Sequence, residues 1–146
     1  MIKTYKSTVK KLPDGMQVEA KSRSFTMKMD EPKSMGGTDK AMNPIEASLA
    51  ALGGCQAVVA ASFADAKNIA FDDFHIEVEG DVDLDGFMGR ADVRPGFLEI
   101  RYKMYFKTNE SQEKMEEFAT FIEETCPVTD TLKNGTEFVN DGVVLE

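Results

Sequence analysis

The sequence predicts an α+β protein, and three stretches carry that prediction. In "FLEIRYKMYFK", residues 97–107, Leu98, Ile100, Tyr102, Met104 and Phe106 alternate with Glu99, Arg101, Lys103, Tyr105 and Lys107. That is the period of a half-buried antiparallel strand. In "NPIEASLAALGGCQAVVAASF", Asn43 can cap, Pro44 suits the first helical position, and Glu46 completes a capping box. In "SQEKMEEFATFIEET", Ser111 opens a second helix whose Met115, Phe118, Phe121 and Ile122 form one apolar stripe.

The remaining elements follow in chain order. Ile2 to Lys11 reads as a strand, and Pro13-Asp14-Gly15 supplies a turn. Met16 to Met29 gives a second and a third strand, and the charged, Gly-bearing "DEPKSMGGTDKAM" is a mobile loop. The helix from Pro44 is apolar on nearly every side, which predicts burial all round. A chain this short achieves that only with sheets wrapped about the helix or with a second subunit. A strand with Ile76 and Val78 on one side lies within 71–85, Pro127 interrupts the second helix, and Gly135 ends a short helical piece. "EFVNDGVVLE" closes the chain as a last strand. The nine methionines fall on apolar faces and read as core filler.

Composition narrows the function classes. At 146 residues, 29% charged and 42% hydrophobic, the chain matches one globular domain, residues 1–146. A net charge of -9 argues against a nucleic-acid partner, which calls for a clustered basic face. Residues 1–11 lack the apolar segment of a secretory signal. The stretch 47–64 is too rich in small residues to make a good membrane span. The expectation is therefore a cytoplasmic protein with no membrane partner, whose two cysteines are free or cycle rather than forming a permanent staple.

Cys55 sits in the apolar helix directly after Gly53 and Gly54 and before Gln56, the single amide of that run. A buried cysteine can simply pack as a small hydrophobe. Two mid-helix glycines, each costing roughly 1 kcal/mol against alanine, instead point to close backbone approach or a bend. Gln56 could hydrogen-bond near a sulfur or line a pocket. Cys126 stands before Pro127 at the start of a helical turn, where free N–H groups favour thiolate; the plain alternative is a helix-terminal residue that happens to be cysteine. His75, the sole histidine, reads as a cross-strand partner. Two Cys and one His without close spacing make no zinc site, so no metal is expected. No phosphate-binding or dinucleotide-binding fingerprint is present either, and no cofactor is expected.

The two cysteine motifs, "NPIEASLAALGGCQ" and "CPVTDTLKN", resemble those of the OsmC/Ohr family, the osmotically induced and organic hydroperoxide resistance proteins. The likeness extends along the order of strands and helices. It implies an OsmC-like fold: an intertwined homodimer with antiparallel sheets wrapped around long buried central helices. Family members characterised as enzymes reduce organic hydroperoxides, and position carries the peroxidatic role to Cys55 and the resolving role to Cys126. An external dithiol would supply electrons.

Two departures from the peroxidase branch stand out. Where that branch places a carboxylate directly after the helix-opening proline, this chain has Ile45, with Glu46 one place later. Where the branch supplies an activating arginine before the "DG" turn, this chain has Pro13, leaving Arg23 on the next strand as a possible substitute. Glu46 is also a capping-box residue. Along a straight helix it lies ~13 Å from Cys55 and on the opposite face. The expected function is a thiol-dependent peroxidase acting in oxidative-stress defence. The alternative is an OsmC-fold small-molecule-binding or redox-responsive protein with little turnover, and behind it stands a dimer whose buried thiols are inert.

Overall fold

The computed structural model describes residues 1–146 and contains five strands and four α-helices. These are β1 (Thr8–Lys11), β2 (Val18–Ser22), β3 (Phe25–Met29), α1 (Pro44–Phe63), β4 (Asp73–Val82), α2 (Leu84–Phe87), β5 (Phe97–Lys107), α3 (Gln112–Thr125) and α4 (Pro127–Asn134). Strands β1, β2 and β3 form one antiparallel sheet, and β4 and β5 form another. The chain divides into two compact bodies, residues 1–50 and 51–146.

The first body is a small meander. Thr8 pairs with Lys21 and Val18 with Met29 at its two seams. The loop after β3 is ordered by one carboxylate. Asp30, 1% exposed, accepts from the N–H of Glu31 (2.7 Å), Thr38 (3.2 Å) and Lys40 (3.1 Å) and from the Thr38 hydroxyl. Those bonds hold its carboxyl well down, at about 2, the Thr38 hydroxyl contributing most. The mobile loop expected here is thus a hub of hydrogen bonds. At the start of α1 the capping box forms reciprocally: Asn43 N–H donates to Glu46 Oε2 and Glu46 N–H to Asn43 Oδ1, both at 2.8 Å.

The second body carries an apolar core of Leu52, Val59, Ala60, Ile69, Met115, Phe118, Ile122 and Cys126. Strand β5 spans the eleven residues expected of it and pairs with β4, but a register shift skips Leu98, which is exposed instead of lying on the apolar face with Ile100, Tyr102, Met104 and Phe106. His75 faces Tyr105 across that ladder, their rings stacked at 4.5 Å. Ser111 caps α3 by accepting from Lys114 N–H. Pro127 occupies the first position of α4, and Gly135 ends that helix at φ 75°.

Several expectations are met in part or fail, for identifiable reasons. Within one chain α1 buries only a stripe, Leu52, Gly53, Gln56, Val59 and Ala60, and leaves Val58 65% exposed, so burial all round calls for the second subunit that the sequence allows. By length and a mean hydropathy of 1.4 alone α1 could cross a membrane, but a core helix of this length reaches the same value. The strands expected at residues 2–7 and 137–146 do not form. Neither stretch has a neighbouring strand in this chain to take its hydrogen bonds. Of the methionines only Met115 is buried in the core, and Met16, Met27, Met42 and Met88 are exposed.

Candidate active site

Three helices position the candidate residues. α1 contributes Cys55 and Gln56, and the junction of α3 and α4 contributes Cys126 and Thr129. Gly53 explains how α1 lies so close to its sheet. A Cβ there would come within 3.1 Å of Ile76 Cγ2 and 3.2 Å of Val78 Cγ2 on β4. The close approach expected of the glycine pair is therefore the work of Gly53 alone. Gly54 faces open space, and nothing lies within 4 Å of its missing Cβ.

Cys126 is fully buried and closes one helix while opening the next. Its N–H donates to Ile122 O at 3.0 Å, ending α3. Its sulfur accepts from Thr129 N–H at 3.4 Å, capping α4. Thr129 is tied in turn to α1, its hydroxyl oxygen accepting from Gln56 Nε2 at 3.3 Å. Gln56 is fully buried, and its Oε1 has no hydrogen-bond partner.

The two thiols are free, with Cys55 packed against the core that contains Cys126, and their surroundings push their pKa values in opposite directions. Burial raises Cys55, and the neighbouring Cys126 sulfur adds to the rise; only the Val128 N–H works the other way. Burial also acts against ionisation of Cys126. It is outweighed there by the hydroxyl and N–H of Thr129, the Cys55 thiol and the Val128 N–H, so that thiol is lowered.

A cavity of about 510 Å³ reaches Gln56 and Thr129, the neighbours of the two cysteines, although neither cysteine lines it. Its walls include Leu52, Gln56, Ile100, Tyr102, Thr129 and Leu132, with Arg94, Glu99, Glu123 and Lys133 adding charge. Tyr102 donates its phenolic proton to Glu123 Oε2, and Lys133 Nζ pairs with Glu123 Oε1 at 3.0 Å. Burial and the Glu123 carboxylate push the Tyr102 phenol well up.

Within the first body, Glu46 is engaged in its capping box and Arg23 lies over the Phe25 ring at 4.9 Å. Thr129 and the Tyr102–Glu123–Lys133 chain escaped sequence reading. "CPVTD" does place Thr129 three residues after a candidate cap, the spacing at which a helix N–H meets the capping side chain. No group of three or more His, Cys, Asp or Glu side chains converges to hold a metal ion.

The chain has relatives among known proteins. Residues 37–139 match the family model described as OsmC-like protein. A hydroperoxide reductase of Mycoplasma genitalium is 30% identical over 139 residues, covering 92% of each chain. The crystal structure of an OsmC-like protein from Mycoplasma pneumoniae superposes with a TM-score of 0.80 at 28% identity, covering 91% of this chain and 89% of that one. An organic hydroperoxide resistance protein from Legionella pneumophila shares the fold at 18% identity, with a TM-score of 0.69 and coverage of 92% and 93%.

Proposed function

The chain belongs to the OsmC-like family, and on that premise we propose that it is a thiol-dependent peroxidase reducing organic hydroperoxides in oxidative-stress defence. Cys55 is the peroxidatic sulfur and Cys126 the resolving one. The observation that supports the reading is the packing of free Cys55 against the core that contains free Cys126, distant along the chain, with the adjacent Gln56 and Thr129 lining a largely apolar cavity. Cys55 is the one partly open to solvent.

In this reading the Cys55 thiolate attacks the distal peroxide oxygen. An S–O bond forms, the O–O bond breaks, and the alkoxide leaves to become the alcohol, with Cys55 as sulfenic acid. Cys126 then attacks that sulfur and expels hydroxide, leaving a disulfide that an external dithiol returns to two thiols by exchange. No metal or organic cofactor is required. The active form is a homodimer of single domains spanning residues 1–146, located in the cytoplasm; the open side of α1 around Val58 supports a second copy covering it.

The test follows loss of cumene hydroperoxide with a dithiol as reductant. Wild type turns over, Cys55→Ser abolishes consumption, and Cys126→Ser consumes one equivalent and then overoxidises. Equal rates in all three proteins end the enzyme reading. One observation favours a second reading, an OsmC-fold binding or redox-responsive protein with little turnover: burial raises the Cys55 thiol, and no cation is among the groups that lower it. Slow wild-type turnover together with tight binding of a hydrophobic probe would select it.

A further inference from the structure

One buried side-chain polar atom in the chain has no hydrogen-bond partner, and it is Gln56 Oε1. Gln56 is fully buried and lines the 510 Å³ cavity. Its Nε2 is committed to the Thr129 hydroxyl oxygen at 3.3 Å, and Thr129 lines the same cavity. The amide therefore stands at the cavity wall, where α1 meets α4. An acceptor closed off from bulk water and lacking a donor is costly. One long bond holds this amide, and its terminal torsion is soft, so it can turn to meet a donor inside the cavity.

The opposite wall is shaped by a break in the sheet. The register shift sets Phe97 against Val82 and leaves Leu98 without a partner on β4. Strict alternation would send those two side chains to opposite faces, yet both line the cavity. Gly80 makes the room: a Cβ there would come within 2.6 Å of the Phe97 ring. The charges around the cavity are already engaged. Glu123 receives the Tyr102 phenol and pairs with Lys133, Glu99 pairs with Arg101 at 2.6 Å, and Arg94 is exposed to solvent. Neither lining carboxylate is left for a cationic ligand. The unmet need is a single neutral donor.

We propose that this cavity binds an apolar molecule carrying one O–H group, an alcohol or a hydroperoxide, and that Gln56 Oε1 accepts its hydrogen bond. Gln56 is then a specificity-determining residue: it separates hydroxyl-bearing ligands from hydrocarbons and ketones of similar size. A volume of this order holds a small organic ligand whole, and one well-placed polar group suffices to orient it. Gln56 directly follows Cys55 along α1, so the O–H end of the ligand lies toward the cysteines. The site stands on the cavity alone; only the choice of a hydroperoxide as its natural occupant rests on the peroxidase reading.

The test is an NMR titration of the reduced full chain with an alcohol, a hydrocarbon and a ketone: 2-phenyl-2-propanol, tert-butylbenzene and acetophenone. Gln56→Leu is expected to weaken the alcohol about two- to tenfold, the worth of one hydrogen bond, and to leave the other two unchanged or tighter. Leu132→Trp, which fills the cavity, should lose all three. The proposal is overturned if wild type binds none of them, or if Gln56→Leu shifts alcohol and hydrocarbon by the same factor. It is also overturned if acetophenone, which accepts but cannot donate, weakens along with the alcohol, or if Leu132→Trp binds as wild type does. Retained hydrocarbon binding shows that the Gln56→Leu cavity is intact. Where it is lost, Gln56→Met is read in its place, and equal loss of all probes in both variants means that the amide holds the cavity rather than the ligand, which ends the proposal. With cumene hydroperoxide as substrate, a KM raised by the same factor assigns the hydroperoxide to this site, and an unmoved KM assigns it the alcohol. Alcohol selectivity without any peroxide consumption upholds the site and removes the peroxidase.

Discussion

The two bodies of the chain are held together by different physics. Residues 51–146 close around apolar side chains, with Ile122 and Ala60 wholly buried among aromatic and aliphatic neighbours. Residues 1–50 have no fully buried apolar side chain; their one sealed side chain is the Asp30 carboxylate, saturated by its own loop. Both cysteines sit in the body built on apolar packing. That suits a buried thiol, since close packing fixes a sulfur's position far better than a surface meander could.

Removing volume from the second body should have the largest effect. Ile122→Ala is expected to cost about 2–5 kcal/mol, measured by denaturant unfolding, because it opens a hole where neighbours are already in contact. A loss below about 1 kcal/mol would mean that this core is not as tight as the burial of Ile122 implies. Adding volume comes next. Gly53→Ala should cost about 1–3 kcal/mol through contact with Ile76 and Val78. Gly54→Ala, one position away with nothing of its own chain within 4 Å, should instead stabilise α1 by up to about 1 kcal/mol in the dissociated monomer, since Gly54 lies one turn from Val58 on the face proposed to meet a second copy. Equal signs for the two alanines would break the contrast.

The smallest global effect belongs to the first body and is read by pH. Asp30 has a folded value of about 2 against an ordinary 3.8. Its contribution is therefore complete above the ordinary value and is lost as pH falls through about 2. Amide exchange should show residues 31–40 opening in that acid window while α3 stays protected. Asp30→Asn should open the same loop at neutral pH. A loop indifferent to both would show that the hydrogen bonds to Asp30 do not hold it.

Elements with a local cause were the legible ones. Alternation placed β5, and Ser111, Asn43 with Glu46, and Pro127 marked helix starts that the structure keeps. The terminal stretches were not legible, because apolar residues such as Val143 and Leu145 suggest a strand but cannot say whether a neighbour exists to pair with. The buried stripe of α1 was hidden for another reason. Its exposed side is also apolar, so no sequence period separates Val58 from Val59. At the site, both cysteines were readable from their motifs. Thr129 was not, because its link to Gln56 spans 73 positions and exists only after α1 and α4 have met. The Asp30 hub escaped because an acid in a charged loop looks like any other acid until its loop folds over it.

Gly53 also settles a matter of direction. Successive residues of a helix turn by about 100°, so the residue two places on points roughly 200° away. With Gly53 pressed against β4, Cys55 is rotated to the side of α1 away from that strand. A missing methyl group thus acts as a keyway: it sets the angle at which the shaft seats, and the thiol's aim comes with it.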